Sequence, residues 1–140
     1  MASDLEAVAG DHLDADPAVT WTVRDRVLQV TLSTDTSRWF TLDLGTDAFP
    51  LGLGSRYSIP EPEYDLDEQP DAVTKQLDRG LAYLHGQCEE VTKRRGRTEI
   101  SWSLTLPDGT VAKAWRTPLQ RLRHRLTGKS RLVRTCHIPG

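Results

Sequence analysis

The stretch PDAVTKQLDRGLAYLHGQCEEV, residues 70–91, decides how the rest of the chain is read. Val73, Leu77, Leu81, Leu84, Cys88 and Val91 recur at intervals of four, four, three, four and three, which lays one apolar stripe along an α-helix. Pro70 suits the first turn, where its missing N–H has no partner in any case. Asp67, Glu68 and Asp71 place negative charge where the helix dipole favours it, and Lys93, Arg94 and Arg95 place positive charge at the far end, closed by Gly96. Gly80, inside the helix, leaves room for a neighbouring element to come close.

Upstream of this helix, residues 3–13 read as a short helix, with Ser3 and Glu6 forming a capping box and Leu5, Val8, Ala9 and Leu13 forming its apolar side. Three strands follow. Val19, Trp21 and Val23 alternate with polar residues, as do Leu28, Val30 and Leu32, then Phe40, Leu42 and Leu44. A tight turn at Asp25-Arg26 pairs Val23 with Leu28, Trp21 with Val30 and Val19 with Leu32. A longer turn over residues 34–38 brings Phe40 opposite Leu32 and Leu42 opposite Val30. Both turns put these apolar residues on one face, the pattern of an antiparallel meander with one buried side. Residues 45–60 read as a glycine-containing connector, and residues 61–68 as an extended acidic segment leading into the central helix.

Downstream, Leu106-Pro107-Asp108-Gly109-Thr110 has the chemistry of a hairpin turn: proline sets φ, aspartate bonds back to the chain, and glycine accepts a positive φ. That turn pairs Leu104 with Ala112, Trp102 with Ala114 and Ile100 with Arg116. Large residues facing alanines leave a groove that a helix carrying Gly80 can enter. Thr117-Pro118 then opens a last helix, with Leu119, Leu122 and Leu126 on one side, arginines on the other, and Gly128 as its stop. The expected fold is therefore α+β, in the order α-β-β-β-α-β-β-α, with the helices on one face of a single antiparallel five-stranded sheet. Residues 1–128 form one domain, and residues 129–140 form a basic tail or a short edge strand around Leu132 and Val133.

A chain of 140 residues with 37% hydrophobic content can bury a core of its own. No apolar run approaches the roughly 20 residues a membrane helix needs. The first ten residues carry Asp4 and Glu6 and no lysine or arginine, the wrong composition for a secretory signal. Two cysteines, Cys88 and Cys136, make no disulfide framework and read as free thiols, so a cytoplasmic location is expected. The net charge of −2 conceals an asymmetry: residues 1–92 hold 18 acids and 6 bases, whereas residues 93–140 hold 2 acids and 12 bases. Such a split suits self-complementarity or a charged partner.

No motif specifies a reaction. Leu51-Gly52-Leu53-Gly54-Ser55 lacks the Gly-Lys-Ser/Thr ending of a phosphate loop. Asp65, Asp67, Gln69 and Asp71 alternate like calcium ligands, but the sixth and twelfth loop positions hold Pro70 and Gln76 where glycine and glutamate are needed. His12, His85, His124 and His137 are scattered, without metal-ligand spacing. His85 and Cys88 are one helical turn apart, but the cysteine falls on the buried stripe. No catalytic residue, metal site or cofactor is expected.

The basic final third holds Arg94, Arg95, Arg97, Arg116, Arg121, Arg123, Arg125, Lys129, Arg131 and Arg134. Arginine outnumbers lysine there, which suits bidentate contacts to carboxylate or phosphate. Trp39 and Trp115 both fall on the side of their strands away from the inferred core, where a tryptophan near arginine is common interface chemistry.

The element order over residues 3–126 resembles that of type III secretion chaperones, which are cytosolic homodimers that hold a partner chain. The basic tail departs from the acidic character common in that group. The layout is also similar to small immunity proteins that neutralise toxins, which are compact modules with a charged binding surface and no catalytic motif. Both likenesses imply a non-enzymatic cytosolic module that binds a partner protein, a secreted protein or a toxin, through a sheet face or the arginine-rich last helix, with a homodimer as one expected state. The expected contact residues are Trp39, Trp115, Arg116, Arg121, Arg123 and Arg125. Two expectations compete with this: that the arginines answer the chain's own acidic segment, residues 61–71, and that the basic third binds nucleic acid; membrane association is not expected.

Overall fold

The computed structural model describes residues 2–116 and 131–137; the helix expected from Thr117-Pro118, with Arg121, Arg123 and Arg125, lies outside them. The chain is α+β and divides into two compact units, Met1–His85 and Gly86–Gly140. In place of the expected single sheet there are two antiparallel sheets, one in each unit, so that Trp21 belongs to the first and Trp102 to the second.

The first unit contains α1 (Ala2–Asp14), β1 (Val19–Arg24), β2 (Val27–Leu32), β3 (Asp35–Asp43), β4 (Leu51–Leu53), β5 (Tyr57–Ile59) and α2 (Gln69–Leu84). Its strands form a meander in sequence order. β1 and β2 pair as the alternation predicts, Val19 with Leu32, Trp21 with Val30 and Val23 with Leu28, across a two-residue turn in which Asp25 and Arg26 both take positive φ. β3 is displaced by two residues from the expected register: Phe40 faces Val30 and Leu42 faces Leu28. The turn is tight, at Ser33-Thr34, and the surplus residues are absorbed by a register shift that leaves Asp35 opposite Leu32 and Trp39 opposite Thr31. The Asp35 carboxylate accepts bonds from the Ser37 N–H and hydroxyl, which stabilises this bulge and holds the carboxyl below its ordinary range. A slip of two preserves side-chain parity, so the buried face is unchanged.

Residues read as a connector supply β4 and β5, whose Leu51, Leu53, Tyr57 and Ile59 extend the same buried face. α2 lies against β3 and β4, and Leu77 and Leu84 are buried as expected. Gly80 meets Phe40 rather than the alanines of the hairpin: a Cβ there would stand 2.6 Å from the Phe40 ring. The helix stops at Leu84, short of the expected Val91, because Gly86 takes positive φ and residues from Cys88 onward are extended. The basic residues Lys93–Arg95 therefore do not serve its C-terminus. Arg38 does, donating from Nε to the Leu84 carbonyl at 3.1 Å and from Nη2 to the Tyr83 carbonyl, with its guanidinium 5.3 Å above the Tyr83 ring.

Polar side chains close the first unit. Gln76, fully buried, donates from Nε2 to the carbonyls of Phe49 and Ile59 at 2.7 and 2.8 Å and accepts from Arg79 Nη1 at 2.9 Å. Arg79 and Lys75 both reach Glu61, at 3.2 and 2.8 Å. The hydrogen bond from Lys75, reinforced by Arg79 against the cost of burial, holds the Glu61 carboxyl below its ordinary range. α1 packs on α2, and two pairs span the unit: His12 with Asp78 at 2.7 Å and His85 with Asp16 at 2.6 Å. Burial alone would raise Asp16, but the bonds from His85 and the Ala18 N–H and the charge of His85 outweigh it and leave the carboxyl lowered.

The second unit contains β6 (Cys88–Arg95), β7 (Thr98–Thr105), β8 (Val111–Trp115) and β9 (Arg131–His137), in the spatial order β8-β7-β6-β9. The hairpin pairs Leu104 with Ala112 and Trp102 with Ala114, as its turn predicts. β6 occupies residues that the helical period assigns to the end of the central helix, because Cys88 and Val91 happen to continue that period. β9 places residues 131–137 of the expected tail in a strand antiparallel to β6.

Candidate functional site

One end of the second sheet gathers the cationic side chains. β6 and β7 are joined by a two-residue turn in which Gly96 takes positive φ, with Arg95 paired to Thr98. Just inside this turn the register slips by one: Lys93 faces Ser101 but Arg94 faces Glu99, so Ile100 is an extra residue on β7. Such a bulge re-aims the side chains beside it. Arg116, immediately after β8, donates its N–H to the Ile100 carbonyl at 3.1 Å, which ties the end of β8 to the bulge. Arg94 from β6, Arg97 from the turn and Arg116 from the end of β8 thus line, with Glu99 and Trp102, an open cleft of about 380 Å³.

Glu99 organises the cleft. Its Oε1 accepts from Arg94 Nη2 at 2.9 Å and its Oε2 from Trp102 Nε1 at 3.2 Å, which fixes the indole and one guanidinium. The solvent-shielded Arg94 Nε–H has no acceptor among the described residues. Arg97 and Arg116 likewise make no ion pair with a carboxylate among the described residues. Three guanidinium side chains, one carboxylate and one indole therefore line the same cleft. Guanidinium forks bind carboxylate or phosphate oxygens bidentately, and an indole face accepts apolar or cationic groups.

Of the residues expected to bind, Arg116 lines this cleft. Trp115 is half-buried on β8 opposite Ser101, and Trp102, assigned from sequence to the packing face, is the tryptophan of the cleft. Trp39 lies in the first unit, half-buried opposite Thr31 and alternating with core residue Phe40. Arg121, Arg123 and Arg125 fall outside the described residues. The signal for Arg94 and Arg97 is the charge run Lys93-Arg94-Arg95-Gly96-Arg97, which the sequence reading includes in the basic final third but places at a helix end, where the structure has a hairpin turn.

His85, considered as a partner for Cys88, bonds Asp16 instead, and Cys88 begins β6. Among the described residues no three His, Cys, Asp or Glu side chains form a metal-binding group. No described helix is long and apolar enough to cross a membrane. No family model, curated protein or solved structure matches the chain.

Proposed function

We propose that this chain is a non-enzymatic, cytoplasmic protein-binding module whose contact surface is the arginine–tryptophan cleft of the second unit, and that its partner presents carboxylates there. The presence of Arg94, Arg97, Arg116 and Trp102 in one cleft, with Glu99 as the single offsetting charge among its lining residues, carries this reading. Arginine and tryptophan are the side chains that most often dominate protein interfaces, because they combine directed hydrogen bonds with large contact area. The acid-rich remainder of the chain favours a protein over a nucleic acid. Residues 1–92 carry a net −12, which at low salt repels an extended polyanion more strongly than a ligand presenting only a few carboxylates. Holding a secreted chain or neutralising a toxin would both use such a surface.

The test compares the native chain with an Arg97→Glu/Arg116→Glu variant as bait in the source cells. A protein retained by the native chain and lost by a variant of unchanged circular dichroism supports the reading. Retention of the same proteins by both baits refutes it. Binding to duplex DNA or RNA that weakens steeply with salt would replace it with the nucleic-acid reading.

A further inference from the structure

The first unit displays a segment with the chemistry that this cleft would take. Tyr64 and Leu66 are 77% and 66% exposed, two of the few large apolar side chains in open solvent among the described residues. They sit between Glu63, Asp65, Asp67 and Glu68. The backbone that carries them is fixed. Glu61 and Glu63 donate their N–H groups to the carbonyls of Ala48 and Asp47, both at 2.8 Å, and the Glu63 carbonyl accepts from Gln69 Nε2 at 3.0 Å. The Asp65 carbonyl accepts from the N–H groups of Glu68 and Gln69, and its carboxylate from that of Asp67. A loop already ordered in this way loses little conformational freedom on docking. Solvation alone explains exposed acids, but it does not explain an exposed tyrosine and leucine two residues apart on a rigid support.

We infer that the cleft formed by Arg94, Arg97, Trp102 and Arg116 takes the Tyr64/Leu66 loop of a second copy of this chain. The inference rests on the reading of that cleft as a site for carboxylate-bearing protein. The carboxylates beside the two apolar residues meet the guanidiniums, and one of those residues covers the indole. Each copy carries both halves of the contact, so copies associate, and an outside partner displaces the loop from a cleft that is otherwise self-occupied.

Complementation tests this directly by sedimentation velocity. The native chain associates at about 50 mM salt and dissociates at about 500 mM, where charge contacts are screened. A loop variant, Tyr64→Ser/Leu66→Ser, and a cleft variant, Arg97→Glu/Arg116→Glu, each associate at least about tenfold more weakly alone. Mixed in equal amounts they form a 1:1 heterodimer, because one supplies an intact cleft and the other an intact loop. A native chain monomeric up to about 200 μM, or a mixture without heterodimer, overturns the inference. If the loop variant still retains an outside partner in those cases, the proposed function stands and only self-occupation falls. If the cleft variant self-associates like the native chain while losing the partner, the loop docks elsewhere and the inference is likewise overturned.

Discussion

Replacing Gln76 by methionine removes a carboxamide from the centre of the first unit while keeping the length of the side chain, so no large cavity is left. Two backbone carbonyls, of Phe49 and Ile59, lose donors at 2.7 and 2.8 Å, and Arg79 loses an acceptor at 2.9 Å. Arg79 retains Glu61, so its loss is partial. A buried acceptor without a partner costs about 1–3 kcal/mol, and two of them about 2–6. The second lone pair of each carbonyl and the apolar gain of the thioether move the expected value to the lower half, about 2–4 kcal/mol. Phe49 adds a local reason for the dependence: it takes positive φ directly before Pro50, a conformation that proline disfavours in its predecessor and that the Gln76 bond helps to hold. Urea unfolding of the native and Gln76→Met chains, followed by far-ultraviolet circular dichroism, measures the difference. The midpoint should fall with the slope unchanged. A loss below about 0.5 kcal/mol would refute the assignment of this amide as the tie between the β3–β4 connection, β5 and α2.

Leu77→Asp places a charge at a position with no solvent exposure and should prevent stable folding of the first unit, visible as a collapsed or absent thermal transition. Gly80→Ala forces a methyl to within 2.6 Å of the Phe40 ring and should cost about 1–3 kcal/mol in the same urea assay, although alanine is the better helix former. Arg38→Ala leaves the Tyr83 and Leu84 carbonyls without their guanidinium and should lower stability by about 1–3 kcal/mol, with Arg38→Lys recovering only part of it. Asp16 and Glu61 both hold pKa values below the ordinary range, so the unfolded chain binds more protons than the folded one through that window. Their contribution is present above about pH 4 and is lost as pH falls through the lowered values; unfolding midpoints read between about pH 5 and pH 2 should drop, and Asp16→Asn should flatten the decline.

The elements legible in the sequence were those in which local chemistry and side-chain parity agree. The Asp25-Arg26 turn fixes β1 on β2 because a two-residue loop admits one register, and the Leu106–Thr110 turn does the same for β7 and β8. Alternation constrains the β2–β3 register only to shifts of an even number, which is why the pairing expected from sequence and the observed one differ by two residues. The pattern of the central helix runs on past its true end because Cys88 and Val91 keep its period by coincidence, while Gly86, the actual stop, looks like any other glycine inside an apolar pattern. β4 and β5 escaped because three-residue strands separated by Gly54 offer too short a run. In the cleft, the arginines were visible as a charge run and Arg116 as a member. Their arrangement depends on the Ile100 bulge and on Glu99, which only the paired strands bring together. Gln76, Arg79 and Arg38 act on partners 17 to 46 positions away, and no local pattern announces such contacts.

The register shift at the start of β3 has an evolutionary consequence. Thr36, Ser37 and Arg38 are the surplus between the pairs Leu32–Asp35 and Thr31–Trp39. A relative lacking those three positions would continue the same ladder without interruption and keep every buried side chain facing inward. It would forfeit only the cation that closes the end of α2. The segment is thus a detachable insert in topology but a stabilising one in electrostatics. Shortened relatives should carry a lysine or arginine in the last turn of the helix itself, where this chain has none.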